Sequence, residues 1–505
     1  MHRGVTVAHA RTLATCAVHN LAYDPSVHTG CVVCRRSERP PPAARGSRAA
    51  AYVALGVLVI VVAGTTTAYF IYRNVHARVA ARVEASAKKD DADRELRQTA
   101  ITTIAPAPLP TGLPLVGPAG VDADGYPTQY VDRPALRSLL FHRKYADLTS
   151  YFERFQTDFE ADPKREYWPE DAAATFDSAE PELLVPLDEW AKRTPDSFAP
   201  YLARGAYWTS VAYARRGGKR ASQTSAVSFA SMEEAVDHAA ADLDRALVIR
   251  PKLVAARTLQ ISVFLPASEG AKLRSAIDQA IAVCPTCVVP RTKYVMALEP
   301  RWGGSYAAME NFARDAAAVP NPRMRFVAGY VDWDKAQVLM RADKSDDAFV
   351  TLDRACKLGN HWAFLLLRAE IQERRKNLSL ALADLDRAVA LRPGQPVVLF
   401  RRAALLSRSK RWEEAGRDLL AGLRVDPTDH DGRASFDGVV KGMIYEGWEH
   451  FKAGRRDDAL RVLDLAKELA PTDPDLHQRR AWIILGNAPA SSASAPVDSP
   501  RSKTR

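Results

Sequence analysis

DLDRALVIRP (242–251), AIDQAIAVCP (276–285), DLDRAVALRP (384–393), DLLAGLRVDP (418–427) and VLDLAKELAP (462–471) are five versions of one ten-residue phrase. The first two begin 34 residues apart, at 242 and 276, and so do the third and fourth, at 384 and 418. A period of that length marks stacked two-helix units, each too small to bury its apolar face without a neighbour. Ala246, Ala280, Ala388 and Ala466 each stand five places before a proline. The small residue lets an adjacent helix approach closely, and the proline, lacking an N–H, stops the helix. Ala381, Ala415 and Ala459 fall seven residues before Ala388, Gly422 and Ala466. Each pair therefore lies two turns apart on nearly one face, with Leu385, Leu419 or Leu463 on the same stripe.

Small residues at two spaced positions of a second helix, closed by a proline, resemble the tetratricopeptide repeat. The resemblance is good over 362–393, 396–427 and 440–471 and weaker over 254–285. SYAAMENF (305–312) and DDAFVTLDRACKLGN (346–360) read as degenerate copies, the second with Asn360 in place of proline. Pro427 and Pro471 are 44 apart, so about ten residues are inserted there. The resemblance implies an all-α solenoid of seven or eight hairpins over 254–486 and upstream, ended by a capping helix at 472–486; NAPASSASAPVDSPRSKTR (487–505) is low-complexity and reads as a disordered tail.

Upstream, RSLLFHRKYADLTSYFERFQTDFE, LDEW and PDSFAPYLARGAYWTSVAYARRG precede the first phrase. Residues 130–260 resemble an uncharacterised bacterial domain family made of the same hairpins, with no activity to carry over. Its landmarks are Tyr145, Trp190, Tyr201, Arg204, Gly205 and Trp208; helix packing explains them, and an aromatic, arginine-lined peptide groove is the competing reading. RRGGKRASQTSAVS (215–228) reads as an exposed insertion.

AAAYVALGVLVIVVAGTTTAYFIY (49–72) contains no charged residue and is bracketed by Arg48 and Arg73. As a helix its 24 residues would reach about 36 Å, enough for a hydrocarbon core of about 30 Å. Tyr52, Tyr69 and Tyr72 suit the interfaces. A signal peptide is excluded by the length of the run and its start near residue 50. The expectation is one transmembrane helix, followed by a stalk and Pro-rich linker over 73–129 acting as a tether. Arginine and lysine flank both ends, so the positive-inside rule barely orients it.

CAVHNLAYDPSVHTGCVVC (16–34) sits ahead of that run, after a flexible 1–15 and before a spacer at 37–48. Cys16-x2-His19 and Cys31-x2-Cys34 supply four ligands of the kind tetrahedral zinc takes. So short a segment buries no core, and a metal would supply the folding energy. The pattern resembles small zinc-ribbon modules placed before a membrane span in bacterial proteins, which implies a ribbon over 16–36 holding structural zinc. Thiolates keep a metal more readily in a reducing compartment, which favours a cytoplasmic N-terminus and extracytoplasmic repeats, as in a bacterial inner membrane. Cys284 and Cys287, in CPTC at a helix end, read as small turn residues or as a local disulfide; catalytic redox work needs a helix N-terminus instead.

The formal net charge is +10, with arginines beside the apolar run, which suits anionic headgroups as well as any partner. The aromatic interleaving of nucleic-acid modules is absent, as are phosphate-binding and nucleophile motifs. VDADGYP (121–127) resembles the start of a calcium loop but has no closing glutamate, and reads as turn chemistry. The expectation is a membrane-anchored, non-enzymatic scaffold that binds proteins or peptides, with no small-molecule substrate. The first helix of each hairpin would line the groove, through Arg204, Tyr207, Arg257, Gln260, Arg368, Gln372 and Arg402. A transmembrane sensor joining the ribbon to the solenoid is the alternative; an enzyme within 130–240 is disfavoured for want of clustered reactive groups.

Overall fold

The computed structural model describes residues 14–18, 22–23, 25, 104–218, 224–359 and 361–486. The chain divides into two units, Met1–Asp93 and Arg94–Arg505. In the first, β1 (Ala14–Thr15) pairs antiparallel with β2 (Ala22–Tyr23). The expected membrane span, 49–72, and the tail, 487–505, lie outside the described residues. Among the described residues no helix is long and apolar enough to cross a membrane.

The second unit carries nineteen helices among the described residues. Helices α1 (Arg133–Phe141) and α2 (Tyr145–Ala161) form a first hairpin, followed by α3 (Tyr167–Ala174) and α4 (Leu184–Arg193). Seven more hairpins follow. They are α5 (Ala199–Arg216) with α6 (Ala226–Ile249), α7 (Val254–Phe264) with α8 (Gly270–Val283), and α9 (Val289–Ala297) with α10 (Tyr306–Ala317). Next come α11 (Arg325–Arg341) with α12 (Ser345–Lys357), and α13 (Trp362–Arg374) with α14 (Leu378–Leu391). The last two are α15 (Pro396–Arg408) with α16 (Trp412–Leu423), and α17 (His430–Lys452) with α18 (Arg456–Leu469). Helix α19 (Pro474–Leu485) caps the stack. The ten residues inserted before Pro471 lengthen α17 to 23 residues rather than forming a loop.

The recurring phrase ends the second helix of a hairpin, and the proline decides where. Arg250, Cys284, Arg392 and Ala470 each precede a proline, and each has left helical geometry, with φ between −128° and −144° and ψ between 68° and 89°. The proline ring forbids the α region to the residue before it. Ala246, Ala280, Ala388 and Ala466 are fully buried. Gly205 shows why small residues are needed: a Cβ there would sit 2.8 Å from Leu243 Cδ2.

The turns inside the hairpins share a second device. Arg143, Ser268, Asp343, Lys376, Lys410 and Gly454 all have φ between 54° and 76°. After each, the next N–H bonds to a carbonyl five residues back, as in Lys144 to Leu139, Asn377 to Gln372 and Arg455 to His450. This is the left-handed helix stop that glycine favours, yet only one of these six positions holds glycine.

Residues 104–131, expected in part as a Pro-rich, semi-rigid tether, bond to and pack on the hairpins. β3 (Leu115–Val116) pairs antiparallel with β4 (Tyr130–Val131). Ser138 Oγ donates to the Ala107 carbonyl at 2.7 Å, and Ala105 N–H donates to the Glu468 carbonyl at 3.0 Å. Ile104 packs on the C-terminal core around Leu419 and Leu463.

Candidate functional site

The first helices α9, α11, α13 and α15 each turn residues toward a common cavity. On α13 the inward stripe is Trp362, Leu366 and Glu370, spaced by four; on α11 it is Tyr330, Trp333 and Gln337; on α9 it includes Thr292, Lys293 and Met296. The facing wall is α3, with Tyr167, Glu170, Asp171 and Ala174. Between them lies a cavity of about 590 Å³, reached also by Arg392, Val397, Asp426 and Asp429 from the later turns.

The wall α3 is held by a clasp from residues distant in sequence. Glu166, 2 % exposed, accepts the N–H groups of Val288 and Val289 at 3.0 and 2.8 Å. Its carboxylate thereby satisfies orphan donors at the start of α9, where the helix dipole also favours negative charge. Tyr126 donates to the same carboxylate at 3.0 Å and accepts from Asn321 at 2.7 Å. Burial pushes the Glu166 carboxyl above its usual range, against the pull of the Val289 and Val288 N–H groups. VDADGYP is the turn that carries Tyr126: Asp122 Oδ1 accepts the N–H groups of Asp124 and Tyr126, both at 2.9 Å. Asp122 and Asp124 pair with Arg323, whose guanidinium lies 3.6 Å from the Tyr126 ring centroid. Nearer α3, Arg392 bonds to Asp171 and stacks 4.3 Å from the Tyr167 ring centroid. Arg133 donates to the Ala174 and Gly394 carbonyls.

Two titratable groups on the cavity depart far from their usual state. Burial raises Glu170 to about 7, with a Thr258 hydrogen bond opposing. Burial lowers His361 to about 3, helped by the Arg392 and Arg323 charges. Its neutral ring accepts the Ala363 N–H at 3.3 Å and so caps α13.

The seven side chains expected to line the groove are on first helices, and the structure engages or buries them within the stack. Arg204 makes a paired contact with Asp242 at 2.8 and 2.7 Å and reaches Asp188 at 2.7 Å. Arg368 grips Asp384 at 2.8 and 2.5 Å, and Arg402 grips Asp418 at 2.6 and 2.7 Å and Asp386 at 3.0 Å. Tyr207, Gln260 and Gln372 are buried. Arg257 donates to Gln260 at 2.9 Å, and Gln260 donates to Asp244 at 2.8 Å. In three hairpins an arginine followed by a small residue on the first helix (204, 368, 402) meets an aspartate followed by leucine on the second (242, 384, 418). The second aspartate of DLDRA serves the next hairpin, as Asp244 to Gln260 and Asp386 to Arg402. These side chains are staples between helices. Their signal was present in the phrase itself, whose two acids need partners.

The domain landmarks are also packing groups. Trp190 is fully buried and donates to Thr149 at 2.8 Å; Tyr145 donates to Glu189 at 2.9 Å; Trp208 stacks on His238 with ring centroids 4.5 Å apart. Cys284 and Cys287 are joined by a buried disulfide where α8 turns into α9. Of the four expected zinc ligands, Cys16 follows β1, while His19, Cys31 and Cys34 lie outside the described residues.

Residues 132–269 match the model of a domain of unknown function, DUF4034, little more than a quarter of the chain. No curated protein matches it. Among solved structures it is similar to YrrB, described as a TPR protein with an unusual peptide-binding site, at 14% identity over 47% of this chain and 97% of that one, TM-score 0.20. The TPR domain of P58(IPK) is 15% identical over 60% of this chain and 72% of that one, TM-score 0.22. PilF of Pseudomonas aeruginosa is 14% identical over 49% and 90%, TM-score 0.20. At such scores these overlays add no weight; the helical-repeat fold stands on the chain's own hairpins.

Proposed function

We propose that this chain is a membrane-anchored helical-repeat scaffold that holds a polypeptide segment of a partner in the cavity between α3 and the first helices. The observation that carries the reading is the cavity: about 590 Å³, walled by inward stripes of successive hairpins and by a second wall clasped in place. A preformed recess with aromatic and charged groups is where a solenoid spends its binding energy. The charge-free run at 49–72 supports anchoring in a bilayer, and the thiolates ahead of it, which keep a metal more readily in a reducing compartment, support a cytoplasmic N-terminus. The spacing of Cys16, His19, Cys31 and Cys34 supports a structural zinc ribbon ahead of it.

The test uses the full chain in detergent and a Val397→Trp variant. Val397 lines the cavity and is 45% exposed, so the indole fills space without entering the core. A partner cross-linked by the native chain and lost with the variant, at unchanged helicity, is the expected result. Partners captured equally by both would overturn the cavity as the binding site.

A further inference from the structure

The cavity has a charge opposite to that of the chain. The sequence carries +10, yet among the described residues six carboxylates line the cavity against three cationic side chains. Two of those cations are already engaged, Arg392 with Asp171 and Arg133 with the Ala174 and Gly394 carbonyls, while Glu370 meets the exposed Arg374 at 3.3 Å. Lys293 is exposed. Glu170 Oε1 is buried and accepts no hydrogen bond. On the opposite wall Trp333 and Trp362 present half-buried rings beside Glu370.

Indole faces attract cations, and carboxylates accept the fork of donors along a guanidinium edge, so the two together suit arginine better than lysine. The molecule already shows this chemistry in the same cavity, where Arg392 lies on the Tyr167 ring and bonds to Asp171. Gln337 Nε2, buried without a partner, offers a donor for a main-chain carbonyl of the same ligand.

We propose that the cavity selects a peptide segment by an arginine side chain, whose guanidinium lies against Trp362 and Trp333 and is neutralised by Glu370 and Glu170. The proposal rests on the polypeptide-binding reading above and adds the residue that is recognised. Its test is a displayed library of random dodecapeptides selected on the full chain in detergent. The winners are then resynthesised with each arginine replaced by citrulline, which keeps the shape and removes the charge. Winners should share an arginine, and citrulline should weaken binding about tenfold or more. Glu370→Gln and Trp362→Leu should each weaken it by roughly three- to tenfold, the leucine retaining apolar bulk. Winners without arginine, or tolerant of citrulline, overturn the proposal and leave peptide binding standing. Winners indifferent to both substitutions place the site elsewhere and also overturn it. If no selected peptide is blocked by Val397→Trp, the peptide-binding reading falls as well.

Discussion

Replacing Glu166 by alanine should undock α3 from the repeats. The carboxylate accepts three buried donors, Val288 N–H, Val289 N–H and Tyr126 Oη–H, at 2.8 to 3.0 Å. A buried donor left unsatisfied costs about 1–3 kcal/mol, so the gross loss is roughly 3–9 kcal/mol. Part is returned, because burial of the carboxylate is itself costly and drives its pKa upward. A net loss of about 3 kcal/mol corresponds to roughly a hundredfold increase in the open population. Hydrogen exchange on the intact chain reads this directly: the amides of α3 and those of Val288 and Val289 should exchange about a hundredfold faster, while those of α17 and α18 stay protected. Glu166→Gln should behave nearly as badly, since its amide turns a donor toward donors. Exchange at α3 changed by less than about threefold in Glu166→Ala would refute the clasp as the element that holds the wall.

Four further outcomes are expected. Asp384→Ala should lose about 3 kcal/mol in urea unfolding, and adding Arg368→Met should recover part of it, because a lone buried guanidinium is worse than none. His361 is neutral in the fold and titrates near 6.5 when unfolded, so its contribution is intact above pH 6.5 and falls as pH drops toward 3. Between pH 7 and 5 the native chain should lose about 2 kcal/mol more than His361→Asn, which keeps a capping oxygen; equal slopes would contradict the burial. Lys410→Gly should stabilise by about 0.5–1 kcal/mol and Gly454→Ala should destabilise by a similar amount, read as shifts in urea midpoint. The intact chain should carry one zinc per molecule by elemental analysis and lose it in Cys31→Ser with Cys34→Ser.

Five of the hairpins were legible because each writes its own end: a small residue, then a proline five places on, with an apolar stripe before it. The turns inside them were not. Arginine, serine, aspartate and lysine occupy left-handed positions where the chain's only local advertisement would be glycine. The groove was read from the polar residues of the first helices, and the cavity is lined by other residues of those helices. Arg368 meets the second helix and Gln372 is buried; Trp362, Leu366 and Glu370 on the same helix line the cavity. The clasp could not be read at all. Asp171 and Arg392, or Glu166 and Val289, are joined across more than a hundred residues, and a single charge in a sequence carries no address for its partner.

An unclasped array of two-helix units behaves as a spring, because each unit touches only its neighbours. Here the segment 104–183 is tied to Val288, Arg323, Arg392 and Glu468, far along the chain. Part of its surface is covered only by the later hairpins, which makes the completed coil stiff, its melting a single event, and loss of the final hairpins costly to the first.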